Sequence, residues 1–161
     1  MKLFIQPLSK QDANLIAAWR YDPPYDLYNL SLFDIPFLLD PENRYHAVHD
    51  EQSRIIGFCC FGAEARVKGG RYEDASPQIL DVGVGMHPSY VGGGYGMSFV
   101  RSILKYALHE FDPGKFRVTV ASFNLRSLRT FQKSGFEETH RFTRERDQIM
   151  FVQLESDAIS K

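Results

Sequence analysis

The sequence predicts a single α/β domain, built on a mixed, twisted sheet of about six or seven strands with about four flanking helices. Residues 79–86 form an apolar, β-branched run, a glycine-rich loop follows, and apolar residues then recur at helical spacing over 97–111. A second strongly apolar strand occupies 116–123. Strand, helix and strand in this order form a crossover unit with parallel strands, and hairpins predicted on either side make the sheet mixed.

Length and composition limit the class of protein. With 161 residues, 43% hydrophobic and 14% aromatic, the chain is expected to form one globular domain over residues 1–161. A formal net charge of -1 and a pI near 6.5 provide no overall basic field for nucleic acid or an anionic membrane. No apolar run approaches the ~20 residues of a membrane span, and the first residues do not resemble a signal peptide, so we expect a cytoplasmic protein.

Two adjacent cysteines, Cys59 and Cys60, lie in an apolar, strand-like run. This setting suits two reduced, partly buried thiols better than a disulfide framework or a metal site. We therefore expect a protein without a metal, and a homodimer is left open.

The N-terminal part predicts a strand, a helix and an antiparallel hairpin. Residues 2–8 form the strand, and Ser9-Lys10-Gln11-Asp12 resembles a capping box for a helix that runs to about Arg20. Residues 45–49 and 54–67 are predicted to be two strands joined by a polar turn.

Between this helix and the hairpin the chain is dense in aromatic residues, and Pro23-Pro24 forbids a continuous helix. Two interpretations stay open, because aromatic clusters serve packing and recognition alike. Either a satellite core or a recognition surface is formed by Trp19, Tyr25, Phe33 and Phe37.

Glycine is concentrated at one junction, since six of the twelve glycines fall between Gly83 and Gly96. The order there is strand, glycine loop and helix. Glycines let backbone N–H groups turn toward a ligand, and the first N–H groups of a helix lack internal partners. A phosphate or pyrophosphate is the ligand that this arrangement favours.

Two common phosphate loops do not fit these residues. A P-loop needs Gly-Lys-Ser/Thr at the start of the helix, and Gly96 is followed by Met97 and Ser98. A dinucleotide-binding loop needs G-x-G-x-x-G, whose last position falls on Met97 or Phe99.

The C-terminal part predicts a short helix and a final hairpin. The helix spans 124–134 with Gly135 as its C-terminal stop, and the hairpin strands span 136–143 and 148–154.

Two motifs, one in the glycine loop and one in the C-terminal helix, resemble those of the GCN5-related N-acetyltransferases. The resemblance extends over roughly 79–154. The stretch Val91-Gly92-Gly93-Gly94-Tyr95-Gly96, after Met86-His87-Pro88, is similar to their acetyl-CoA loop, Gln/Arg-x-x-Gly-x-Gly/Ala, although Val91 replaces the Gln or Arg. The family's second pattern, Asn-x-x-Ala-x-x-x-Tyr-x-Lys-x-Gly-Phe, is matched at its spacing by Asn124, Ser127, Phe131, Lys133, Gly135 and Phe136.

The resemblance implies direct transfer of an acetyl group from acetyl-CoA to a primary amine. The acceptor is left open between a small polyamine-like or aminoglycoside-like molecule and a protein amine. The resemblance also implies a set of residues that contact acetyl-CoA, namely Gly85, Met86, Val91, Gly92, Gly93, Gly94, Tyr95, Gly96, Met97, Asn124, Ser127 and Phe131.

Acetyl transfer needs a neutral amine, a stabilised oxyanion and a proton for the thiolate. The resemblance assigns the oxyanion to the backbone around Gly85-Met86. Asp81 is the one ionisable residue of the strand over 79–86, which makes it either the catalytic base or a cap on a neighbouring loop. The weaker candidates for the base are Glu64, Glu73, His46 and His87, with a water chain as a further alternative.

The family's usual acid, a tyrosine, is replaced by Phe131, which has no proton to donate. Tyr95, Ser127 or water are the substitutes that we consider. The same replacement motivates a rival function, an acyl-CoA-binding sensor that has lost catalysis. Thioester hydrolysis without an amine acceptor is a third possibility.

Overall fold

The computed structural model describes residues 2–72 and 78–159. Its centre is a seven-stranded mixed sheet in the order β1-β2-β3-β4-β5-β7-β6, in which only β4 and β5 run parallel. The strands are β1 (Phe4–Pro7), β2 (Tyr45–His49), β3 (Ile55–Phe61), β4 (Ile79–Met86), β5 (Lys115–Ala121), β6 (Glu137–Thr143) and β7 (Met150–Asp157).

Four α-helices occur in the described part of the chain, together with short 3₁₀ turns: α1 (Lys10–Ala18), α2 (Ile35–Leu39), α3 (Gly96–Phe111) and α4 (Leu125–Lys133). The predicted fold class is therefore confirmed, as is the capping box of α1. The Ser9 hydroxyl accepts from the Asp12 N–H at 3.0 Å, and the Asp12 carboxylate accepts from the Ser9 N–H at 3.2 Å.

One predicted element was wrong in extent. The second hairpin strand ends at Phe61 and does not continue to residue 67, because Gly62 adopts a φ of +94° and a 3₁₀ turn follows over Ala63–Ala65. A positive φ takes the chain out of the strand direction, which an apolar sequence pattern does not reveal.

The two faces of the sheet are covered by different helices. On one face, α3 buries an apolar stripe against the strands, formed by Phe99, Val100, Ile103 and Ala107. On the other face, α1 and α2 form a smaller cluster around Ala13, Ile16, Trp19 and Leu38. Cys59 and Cys60 are buried, free thiols, as the sequence predicts.

The parallel pairing of β4 and β5 is short. It joins Ile79 to Lys115, Leu80 to Phe116 and Asp81 to Arg117, and then the two strands diverge. Beyond that point β4 remains paired with β3 as far as Met86, and β5 remains paired with β7 as far as Ala121. A V-shaped gap between β4 and β5 is the result, and it opens toward the N-terminus of α3.

A buried ion pair lies at the apex of this gap. The Arg117 guanidinium donates to the two Asp81 carboxylate oxygens at 2.6 and 2.8 Å, and Arg66 adds a third contact at 2.9 Å. Asp81 is 2% exposed and Arg117 3%. Tyr72 covers the pair, with its ring 4.8 Å from the Arg117 guanidinium carbon. The charges of Asp81 and Arg117, at the point where the strands diverge, are thus paired with each other and shielded from water.

We expect Asp81→Asn to destabilise the protein by ~3–5 kcal/mol, because it removes the negative charge from a buried, hydrogen-bonded ion pair. Urea unfolding measures this change. The matched control is Glu138→Gln, which breaks an exposed pair with Arg141 and should change stability little. Equal effects of the two substitutions would contradict a special role for the buried pair.

Candidate functional site

The inner edge of β4 presents backbone groups to the gap. The Asp81 carbonyl accepts from the Gly62 N–H, and the His87 N–H donates to the Ile56 carbonyl, so odd-numbered residues of β4 face β3. Alternation along the strand then directs the N–H and C=O groups of Val84 and Met86 into the gap. The Val84 groups and the Met86 N–H can bond an extended ligand that enters beside β4, whereas the Met86 carbonyl already accepts a hydrogen bond from the Tyr21 hydroxyl.

Gly85 and Met86, both predicted to serve the oxyanion, occupy different positions. The Met86 amide faces the gap, whereas Gly85 belongs to the odd-numbered set that faces β3. A Cβ at Gly85 would lie 2.4 Å from the Phe58 ring, so packing accounts for this glycine. The geometry therefore favours Met86 as the oxyanion donor.

The glycine loop connects the gap to α3. Gly92 and Gly94 have φ values of +77° and +85°, and nothing lies within 4 Å of a Cβ built at Gly94. No side chain caps the start of α3, and its first turn contains no acidic residue. Exposed backbone amides and the positive end of a 16-residue helix together suit an anionic group.

Comparison with protein families decides what this arrangement is. A family model described as the acetyltransferase (GNAT) domain matches residues 2–137, which include α1, α3 and the whole gap. The chain belongs to the GNAT acetyltransferase family. No curated protein matches the sequence significantly.

Solved GNAT structures share the fold at low sequence identity. An acetyltransferase of the family from Bacillus anthracis is 14% identical with a TM-score of 0.75, and the match covers 98% of this chain and 96% of that one. A chimera of the spermidine N-acetyltransferase SpeG from Vibrio cholerae with hSSAT is 17% identical over 98% and 96%, with a TM-score of 0.69. The aminoglycoside acetyltransferase AAC(6')-Ib in complex with coenzyme A is 17% identical over 97% and 95%, with a TM-score of 0.75.

The second GNAT motif is divided between the gap and the core. Asn124 caps α4 by accepting from the Ser127 N–H at 3.2 Å, and its amide nitrogen lies 3.5 Å from the Tyr28 hydroxyl. Phe131 is 2% exposed and packs in the main core, with its ring centroid 5.2 Å from that of Phe136. The structure thus places Phe131 in the main core.

Two tyrosines that the sequence did not single out line the gap. Tyr21 donates its hydroxyl to the Met86 carbonyl at 2.7 Å, and Tyr28 reaches Asn124 on the opposite side. Burial, with a smaller contribution from Tyr28, raises the pKa of Tyr21 to about 12. Burial also raises the pKa of Tyr28. Both are therefore neutral phenols at physiological pH, and the aromatic density around Pro23-Pro24 was the one sequence signal that pointed to them.

The candidate bases are placed away from the gap or engaged elsewhere. Asp81 is held by two arginines, which favours the alternative of a structural role over that of a base. His87 accepts the Ser89 N–H at its Nδ1, and burial lowers its pKa. His46 lies between the rings of Phe61 and Tyr106, and burial lowers its pKa as well. Glu73 lies outside the described residues.

The aromatic residues that had two interpretations differ among themselves. Trp19 is core, at 8% exposed, and Tyr25 packs on Phe123 at 5.9 Å. Phe33 is 94% exposed and Phe37 43%. Neither interpretation therefore describes the whole set.

Within residues 2–72 and 78–159, no three His, Cys, Asp or Glu side chains lie close enough together to hold a metal ion. None of the helices described here is long and apolar enough to cross a membrane.

Phe131→Tyr should lower stability by ~1–3 kcal/mol, because its hydroxyl would enter an apolar core without a partner. We expect no gain in the rate of CoA release, since the ring is buried among apolar side chains of the core. Thermal unfolding and a thiol assay measure the two effects, and Phe33→Tyr, which adds a hydroxyl in solvent, is the control for stability. A tenfold gain in rate would instead place the ring at the thioester.

Proposed function

We propose that this GNAT protein transfers the acetyl group of acetyl-CoA directly to a primary amine of a small polycationic molecule. The observation that carries the proposal is the gap between β4 and β5, with the Met86 amide facing into it and the uncapped glycine loop at its mouth. An extended arm with amide groups can bond the edge of β4 while its pyrophosphate lies on the loop.

Residues of the gap match the steps of the reaction. The amine attacks the thioester carbonyl carbon, and the Met86 N–H donates to the carbonyl oxygen as negative charge develops there. The C–S bond then breaks, the nitrogen loses its proton to water in the open gap, and the CoA thiolate takes a proton from solvent. Because a thiolate is weakly basic, its departure does not require the acid that Phe131 lacks.

Direct transfer is favoured over an acyl-enzyme intermediate by the state of the cysteines. Burial raises the pKa of Cys60 to about 12, and burial raises the pKa of Cys59 well above its usual value. Neither sulfur is therefore a thiolate at neutral pH, which is the form that a covalent route needs.

The acceptor class is inferred from the charge of residues 21–43, the segment that contains Tyr21 and Tyr28. It holds five acidic residues and no lysine or arginine, whereas the whole chain has a net charge of -1. These acids are Asp22, Asp26, Asp34, Asp40 and Glu42. Spermidine and aminoglycosides, the acceptors named for two of the structural neighbours, are polycationic amines that such a field attracts. The sensor and hydrolase alternatives gain no support from these neighbours.

Acetyl-CoA should raise the melting temperature by about 5–10 °C at 100 times its Kd, since saturating a native site at that ratio adds ~2.7 kcal/mol. NAD and ATP at the same concentration should raise it much less. An equal rise with ATP would contradict the donor assignment.

As a variant test, Gly94→Val should remove acetyl-CoA binding in titration calorimetry, because a branched side chain would enter the open space above the loop.

Spermidine should stimulate CoA release from acetyl-CoA, and the stimulation should weaken as salt is added. Asp22→Asn combined with Asp26→Asn should raise KM for spermidine about three- to tenfold, because attraction of the polycation is reduced. The Kd of acetyl-CoA should stay the same. The control is Glu110→Gln combined with Glu137→Gln, which removes two exposed acids remote from the gap. Release that no amine stimulates would exclude the transferase and favour the hydrolase.

A further inference from the structure

The glycine loop carries no cation of its own. Residues 87–98, which run from the end of β4 into α3, contain neither lysine nor arginine. Val91 stands where the GNAT motif has Gln or Arg. A pyrophosphate on this loop would therefore meet backbone N–H groups but no positive side chain from the same stretch.

Arg126, in the first turn of α4, brings a guanidinium group to this loop. Its Cζ, Nη1 and Nη2 atoms lie 3.4, 3.5 and 3.6 Å from the position that a Cβ would take at Gly92. The guanidinium thus lies over the backbone of the loop, at the residue that follows Val91. Glycine is the one residue type that permits both this contact and the φ of +77° at position 92 without strain.

The guanidinium of Arg126 is also available to a ligand. Arg126 is exposed, and within residues 2–72 and 78–159 its guanidinium forms neither an ion pair nor a hydrogen bond. Other arginines differ, since Arg141 and Arg144 pair with Glu138 and Asp147. The side chain that Arg126 does contact is Tyr25, whose ring centroid lies 5.9 Å from its Cζ.

Tyr25 holds this guanidinium in place. Its ring packs on Phe123 at 5.9 Å and offers a face to Arg126, an arrangement that attracts cations within ~6 Å. A guanidinium that is oriented before binding loses less freedom when a ligand arrives.

We propose that Arg126 binds the diphosphate of CoA, with Tyr25 as its positioning residue. The inference rests on the proposed function, because it assumes that CoA occupies the glycine loop. A guanidinium presents paired N–H donors that match phosphate oxygens, and here it lies beside Gly92 of the loop that leads into α3. The cation missing at position 91 is in this way provided by a residue 35 positions later in the chain.

Titration calorimetry with three ligands tests the assignment: CoA, dephospho-CoA, which keeps the diphosphate but lacks the 3′-phosphate, and pantetheine, which has no phosphate. Arg126→Ala should weaken binding of CoA and dephospho-CoA by the same factor, about 10–100-fold, and leave pantetheine unaffected. Arg126→Lys should fall between, because an ammonium keeps the charge but loses the paired donors.

Arg129→Ala is the matched control, since Arg129 is an exposed arginine one turn further along α4. It should leave the Kd of CoA within about twofold of that of the unaltered protein. Equal losses from Arg126→Ala and Arg129→Ala would overturn the assignment. A loss confined to CoA, with dephospho-CoA unaffected, would also overturn it by placing Arg126 at the 3′-phosphate.

The role of Tyr25 is tested with a pair of variants. Tyr25→Phe keeps the ring face and should preserve CoA affinity, whereas Tyr25→Leu should weaken it several-fold at an unchanged melting temperature. Equal affinities in the two variants would remove Tyr25 from the inference. If the unaltered protein does not bind CoA at all, the proposed function itself fails, which is distinct from an Arg126 variant that binds normally.

Discussion

The ion pair between Asp81 and Arg117 is the constraint on which the site depends. A buried carboxylate is costly unless it is paired and hydrogen-bonded, and here it receives three contacts from two arginines. The pair also joins the last residues at which β4 and β5 share a register. The two strands diverge beyond this point, and the gap, the inward-facing Met86 amide and the access to α3 follow from that divergence.

The same pair explains why Asp81 is a poor candidate for the base. The sequence shows a single acid on an apolar strand, which suggests chemistry. Its partners lie 15 and 36 residues away, at Arg66 and Arg117, and no local pattern connects them to it. In the folded protein the Asp81 carboxylate, whose role the sequence leaves open, forms ion pairs with these two arginines.

Elements with local signals could be predicted closely from the sequence. The strand over 79–86, the glycine loop and the stop at Gly135 depend on neighbouring residues, and the structure reproduces them. Tyr21 and Tyr28 could not be predicted, because they meet Met86 and Asn124 across 65 and 96 residues. Phe131 is an intermediate case, since its place on the apolar side of a helical pattern indicated a core position while its motif indicated a site.

Negative and positive charge are concentrated in two different parts of this protein, although the net charge is close to zero. Beneath the net charge of -1, the chain has an acidic segment at 21–43 and, at the loop, an uncapped helix end with a nearby arginine. An anionic donor and a cationic acceptor would therefore approach the gap from oppositely charged sides. Whole-chain composition cannot show this, because the 20 acidic and 19 basic residues of the chain nearly cancel.

The gap also bears on association between molecules. Strand edges with unpaired amides are templates for aggregation when they lie at the rim of a sheet. Here two such edges lie inside the sheet and converge within a few residues on the apex at Asp81 and Arg117, with Tyr21 bonded to one of them. A strand from another molecule that entered the gap could pair with only the few residues beyond this apex. The unpaired amides of the protein thus lie within the sheet and not along its rim, where a neighbouring molecule would meet a continuous edge.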